Sequence, residues 1–160
     1  MRRTKGFSLI ELLLVVAIIL IITAIAVPSF LSSRMAANES AAVGALRSLN
    51  TAQISYNTTY ATVGFASTLN ALAGNCTGGT VPSSTNACLI DSVLQTGVKS
   101  GYNFTLQGVS GAPAANYQFI AAPVTTNVTG VRYFCSFEDA AVRFSMTAIT
   151  TCDATVSEQQ

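Results

Sequence analysis

The sequence predicts an α+β protein: a long N-terminal α-helix, membrane-spanning in its first half and amphipathic in its second, packed on a four-stranded antiparallel β-sheet. Three observations predict it. The chain turns apolar at Phe7 and stays so to Leu31, broken chiefly by Glu11, Thr23 and Pro28. Apolar and aromatic residues then recur at spacings of three and four from Ala42 to Tyr60, one face of a helix. From Gly101 onward the period changes to two, the signature of half-buried strands.

The first element begins after a short basic stretch, Met1-Arg2-Arg3-Thr4-Lys5-Gly6. At 1.5 Å per residue, a helix from Phe7 to Leu31 is about long enough to cross a hydrocarbon core roughly 30 Å thick. The basic flank predicts an N-terminus held in the cytoplasm. Glu11 interrupts this segment as a plain anchor, because an ionisable group inside a membrane helix costs from about two to more than ten kcal/mol and is a functional candidate by default. A snorkelling side chain near the helix end is the plainer reading. An ordinary signal peptide cut after Ala24-Ile25-Ala26, with a mature chain from Val27, is the competing one. An acid at Glu11 is misplaced in such a signal, and the pattern after Pro28 continues the same helix.

Ala42, Leu46, Leu49, Gln53, Tyr56 and Tyr60 form the stripe that packs on the head, with helix expected from about Ser8 to Tyr60. A short helical candidate, Ser67 to Ala73, precedes a loop of small residues from Gly74 to Ser84. The strand candidates follow: Tyr102, Phe104 and Leu106; Tyr117, Phe119 and Ala121; Val131 to Phe137; and Val142 to Met146. The turn Glu138-Asp139-Ala140-Ala141 joins the last two. Short connections make the sheet antiparallel, apolar toward the helix and polar outside.

Composition excludes several functions. Only 9% of the 160 residues are charged and half are apolar, against about 25% charged in ordinary domains. A net charge of +1 supplies no basic stripe, so no nucleic-acid partner is inferred. Without histidine, the commonest general base and metal ligand at neutral pH is missing. No metal, no cofactor and no enzymatic activity are expected; Glu138 beside Asp139 reads as a solvated turn. Cys76, Cys88, Cys135 and Cys152 all lie in the exported part, where an even count reads as disulfides. Loop closure favours near neighbours, Cys76 with Cys88 and Cys135 with Cys152. The Asn-x-Ser/Thr triplets at Asn57, Asn103 and Asn127 are expected by chance in so polar a chain.

Lys5-Gly6-Phe7-Ser8-Leu9-Ile10-Glu11-Leu12 resembles the class III signal of type IV prepilins, and Pro28 stands where pilins carry a helix-kinking proline. Lys99-Ser100-Gly101-Tyr102-Asn103-Phe104, Tyr117 to Pro123, Thr129-Gly130-Val131-Arg132-Tyr133-Phe134 and Val142-Arg143 resemble the heads of a pilin subgroup. Ala140-Ala141 departs from the Ser-Gly turn usual there. The resemblance implies that a prepilin peptidase cuts after Gly6 and methylates the new amine of Phe7. It implies that Glu11 and Pro28 serve assembly, and that Cys135–Cys152 pins the tail.

The expectation is therefore a leader over residues 1–6, a transmembrane and polymerisation helix over 7–31, and an exported head over 32–160 that includes the second half of the helix. The chain reads as a homo-oligomeric pilus subunit for adhesion, motility or uptake. Its other partners are the bacterial inner membrane, the peptidase and the assembly machinery, and its destination is the extracellular filament. The alternatives are a pseudopilin of type II secretion and, more remotely, a secreted binding protein or enzyme. The extended glycine-aspartate pattern of a calcium-binding major pseudopilin is not visible, which favours the pilus.

Overall fold

The structure, a computed structural model, describes residues 7–74 and 81–157. It divides into two compact units, Met1–Arg34 and Met35–Gln160. Helix α1, Leu9–Thr59, supplies the first unit and opens the second. It runs without interruption through Pro28 and Gly44.

Within the first unit every described side chain is exposed. The most apolar window of α1 has a mean hydropathy of 3.1 and none of it is buried. That separates it from the core helix of a globular fold and leaves a helix long and apolar enough to cross a membrane. Pro28 has no N–H, so the carbonyl of Ala24 loses its usual helical partner. Just beyond, the hydroxyls of Ser32 and Ser33 both donate to the Ser29 carbonyl at 2.9 Å, a back-bond that favours bending.

The second unit is the head. From Glu39 onward α1 buries one face, with Ala42, Leu46, Leu49, Gln53 and Tyr56 at its centre. Two single-turn helices follow: α2, Leu69–Leu72, capped by the Thr68 hydroxyl, and α3, Ser92–Gln95, capped by the Asp91 carboxylate at 2.6 Å. The sheet then runs in chain order, β1 Val98–Lys99, β2 Tyr102–Gly111, β3 Ala114–Pro123, β4 Tyr133–Phe137 and β5 Arg143–Ser145, every neighbour antiparallel. Tyr102, Phe104, Tyr117, Phe119 and Phe134 enter the core beside the stripe of α1.

Three details differ from expectation. The sheet has five strands where four are predicted. The extra β1 is a two-residue return made possible by left-handed backbone at Gly97, Ser100 and Gly101, too short to carry a periodic signal. Strand β4 starts at Tyr133 and not at Val131, because the N–H groups of Val131 and Arg132 are taken by the Glu39 carboxylate at 2.9 and 3.1 Å. The outer sheet face is not simply polar: Ile120 and Cys135 pack with Cys152, Phe137, Ile149 and Val156 under the C-terminal tail.

The turn Glu138 to Ala141 places Ala140 at φ 59°, a conformation costing a non-glycine residue about 1–2 kcal/mol. Its carbonyl accepts from the Asn50 amide at 3.1 Å, so the turn is held where it is. Ala140→Gly is expected to match or exceed the wild-type urea midpoint, while Ala140→Val, β-branched at positive φ, lowers stability by at least about 1 kcal/mol. Equal midpoints for the two variants would contradict this strain.

Candidate assembly segment and the anchors of the head

In the first unit, Phe7 precedes α1 and is 75% exposed. Glu11 lies in the first turn, where its N–H donates to the Ser8 carbonyl at 3.1 Å. A carboxylate there gains from the helix dipole, by about 0.3–1 kcal/mol. Its side chain is exposed and makes no hydrogen bond or ion pair with any described residue. Glu11 stands four positions after Phe7, about one helical turn. Gly6 itself lies outside the described residues.

In the head, polar groups of α1 bind the sheet. Glu39 is 7% exposed. It accepts the two backbone N–H groups named above and the Arg132 Nε at 2.7 Å. Asn38 donates to the Thr129 carbonyl at 2.9 Å. The side-chain oxygen of Asn50 accepts from the Tyr117 and Ser136 hydroxyls at 3.3 and 2.9 Å. The fully buried Gln53 forms a two-way bridge with the backbone of Ala66, at 3.0 and 2.8 Å. Sequence reasoning missed Glu39, Asn50 and their partners. One signal was present: Glu39 stands three residues before Ala42, on the period of the buried stripe, where an acid needs a partner.

Burial alone raises the Glu39 pKa, but the N–H groups of Val131 and Arg132 and the Arg132 guanidinium outweigh it and hold the carboxyl below its usual range. Burial pushes the Tyr117 hydroxyl up to about 12, helped by Asp139 and Glu138. Burial also raises Tyr102, and the charge of Glu39 adds to it. Its hydroxyl donates to the Arg132 carbonyl at 2.8 Å.

At the far end of the head, Cys135 and Cys152 are bonded, with Cα atoms 5.8 Å apart. The tail beyond is held by the sheet: Gln118 accepts the Cys152 N–H at 3.1 Å and Phe144 donates to the Ser157 carbonyl at 2.8 Å. Closing a loop of this length contributes about 3 kcal/mol in the chain-entropy account. Cys88 is also disulfide-bonded, and Cys76 lies outside the described residues. Among the described residues no cluster of His, Cys, Asp and Glu could hold a metal ion.

Comparison with known proteins bears on the same segment. The family of the prokaryotic N-terminal methylation motif matches residues 1–27. The chain is 48% identical over 54 residues to the type IV major pilin protein PilA of Myxococcus xanthus, covering 34% of this chain and 24% of that protein. It is 54% identical over 39 residues to the type IV wide pilus major component PilA4 of Thermus thermophilus, covering 24% of this chain and 30% of that one. The matches thus span less than a third of either relative's length. No solved structure matches. The match takes in the uncovered apolar start of α1, ahead of an α+β head. Together with the two relatives, it supports a type IV pilin.

The Glu39 cluster has a consequence for acid stability. A depressed pKa contributes stability that is present above the unfolded value, near 4.5, and lost as pH falls through the lower folded value. Glu39→Gln should therefore destabilise the head by about 2–3 kcal/mol at pH 7, since an amide nitrogen in place of Oε2 leaves the Arg132 guanidinium without its acceptor. That deficit should shrink between pH 5 and pH 3. Urea unfolding of the detergent-solubilised mature protein, followed by near-ultraviolet circular dichroism, measures it. A deficit unchanged across that range would contradict the assignment.

Proposed function

We propose that this chain is the structural subunit of a type IV pilus, made as an inner-membrane precursor and polymerised through its N-terminal helix into a surface filament. The support is the motif over residues 1–27 and the similarity to two major pilins. A prepilin peptidase cuts after Gly6 and methylates Phe7. Cutting there removes all three cations of the leader, Arg2, Arg3 and Lys5, and replaces them with one amine at the tip of an apolar helix.

A single observation carries the assembly step: Glu11 is an exposed carboxylate in an otherwise apolar segment, without a partner among the described residues. Membrane insertion alone disfavours it. Opposite charges attract strongly where the dielectric constant is low. The Phe7 amine of an incoming copy therefore meets Glu11 of its predecessor at one axial stagger, and apolar side chains elsewhere tolerate many. The carboxylate sets register, as a buried polar residue does in a coiled coil. The helix loosened at Pro28 accommodates neighbours, and the assembly machinery drives the polymerisation.

Two outcomes are expected. Intact mass and N-terminal sequencing of sheared surface filaments should give a mature chain beginning at N-methylated Phe7; a chain beginning at Val27 would refute the pilin reading. Mature subunit confined to the envelope, with no surface filament, would instead favour the secretion piston. Second, Glu11→Ala, with no wild-type copy present, should leave cleavage and head folding intact and lower filament yield per membrane-held mature subunit by at least about tenfold, the effect of losing 1.4 kcal/mol or more per junction. Normal yield from that strain would mean that Glu11 only snorkels.

A further inference from the structure

We infer that the free edge of strand β2 around Leu106 is a lateral-association site, at which heads of two filaments pair edge to edge in antiparallel register. The inference rests on the filament reading above and goes beyond it.

β2 is ten residues long and is paired with β3 along its length. Among the described residues, its other side is covered only at the start. There β1 pairs with Tyr102 and Asn103, and the Phe104 N–H donates to the Gly97 carbonyl at 2.6 Å. Alternation along a strand turns the backbone of Leu106 the same way as that of Phe104. No hydrogen bond from a described residue reaches the Leu106 N–H on that side. Beside it runs an open groove of about 330 Å³, lined by Ser67, Leu69, Asn70, Gln95, Thr105 and Leu106.

An unpaired edge is a template for another chain, and proteins ordinarily blunt it with lysine, inward charge or proline. Here those devices are missing. From Tyr102 to Pro123, both strands of the hairpin, there is no charged residue, and the groove is uncharged as well. Only a bulge intervenes, between Gln107 and Ser110, with Gly108 at φ 67°. It limits straight pairing to the stretch around Leu106.

The occupant that fits is a second copy of the same edge. With the two-fold axis at Leu106, each Leu106 exchanges N–H and C=O with the other, the hydrogen-bonded pair of an antiparallel ladder. Thr105 then faces Gln107 of the second copy, so neutral polar groups meet neutral polar groups. A charged segment would find no counter-ion on this surface, and burying its charge would be costly. So short a pairing is weak singly. A filament displays it once per subunit, and multivalency turns many weak contacts into stable lateral association. The same limit keeps a single head from binding another strongly.

The test uses filaments sheared from cells carrying wild-type chain, Thr105→Lys or Thr105→Glu. Thr105 is exposed and its hydroxyl makes one long bond, to the Ile120 carbonyl at 3.5 Å, so filament yield should hold. Low-speed sedimentation separates bundles from single filaments, and negative-stain widths confirm the sorting. Wild-type filaments should bundle. Each charged variant should lose at least about fivefold of its low-speed pellet, as like charges stand diagonally, within reach of each other, across every junction of a multivalent contact. Mixing Lys and Glu filaments should restore bundling in composite bundles. Wild-type filaments that stay single, charged variants that bundle as wild type, or a mixture that stays dispersed would overturn the inference while leaving the filament reading intact. Cells that make no filament at all would overturn both.

Discussion

The constraint on which the molecule depends is that its first unit has no cover of its own. From Phe7 to Arg34 every side chain stands exposed, isoleucine, leucine and valine included. At about 25 cal/mol per Å² of apolar surface, leaving such a segment in water is prohibitive. Lipid or other copies of the same helix must supply the cover, and neither discriminates among axial positions, since hydrocarbon packs on hydrocarbon. A single ionisable group changes that. In the proposed pairing with the Phe7 amine of a neighbouring copy, the same desolvation that makes Glu11 costly in lipid would make the contact selective for one stagger.

The head answers a different problem, which is how to hold a helix whose other end is committed elsewhere. Apolar burial under Leu46, Leu49 and Tyr56 supplies attraction, but it is non-directional. Direction comes from Glu39, Asn50 and Gln53, spaced along the same buried face and each bonded to backbone or hydroxyl groups far away in sequence. Because an unsatisfied buried polar group costs about 1–3 kcal/mol, a helix shifted by one turn would forfeit several such bonds together. At the opposite side of the sheet the Cys135–Cys152 bridge and the tail cover Ile120 and Phe137. The sheet is thereby buried on both faces around its centre, though its chain order is that of a simple meander.

Much of this was legible beforehand. The helix is observed over Leu9–Thr59 where Ser8 to Tyr60 is expected, because an apolar run followed by a three-four stripe has one regular solution. α2 falls inside Ser67 to Ala73, and β2 and β3 hold the predicted alternating residues. What escaped was set by tertiary context. β1 and α3 are two and four residues long, below any periodic signal. Val131 and Arg132 look like strand but give their N–H groups to Glu39. Beyond the strand candidate ending at Met146 the tail was expected only to be pinned by Cys152, and the fold reveals that Ile149 and Val156 lie against the outer sheet face. Glu11 was legible because an acid in an apolar helix is conspicuous. Glu39 was not, because an acid on an amphipathic helix is ordinary until its burial is known.

The central claim is that the Glu11 carboxylate and the Phe7 amine of a neighbouring copy set the stagger. Helical reconstruction of wild-type filaments at side-chain detail measures it directly. The account predicts a Glu11 oxygen within about 4 Å of the neighbour's Phe7 nitrogen, the reach of a direct ion pair, repeated at every junction. A Glu11 side chain turned toward solvent, or satisfied only within its own chain, would contradict it.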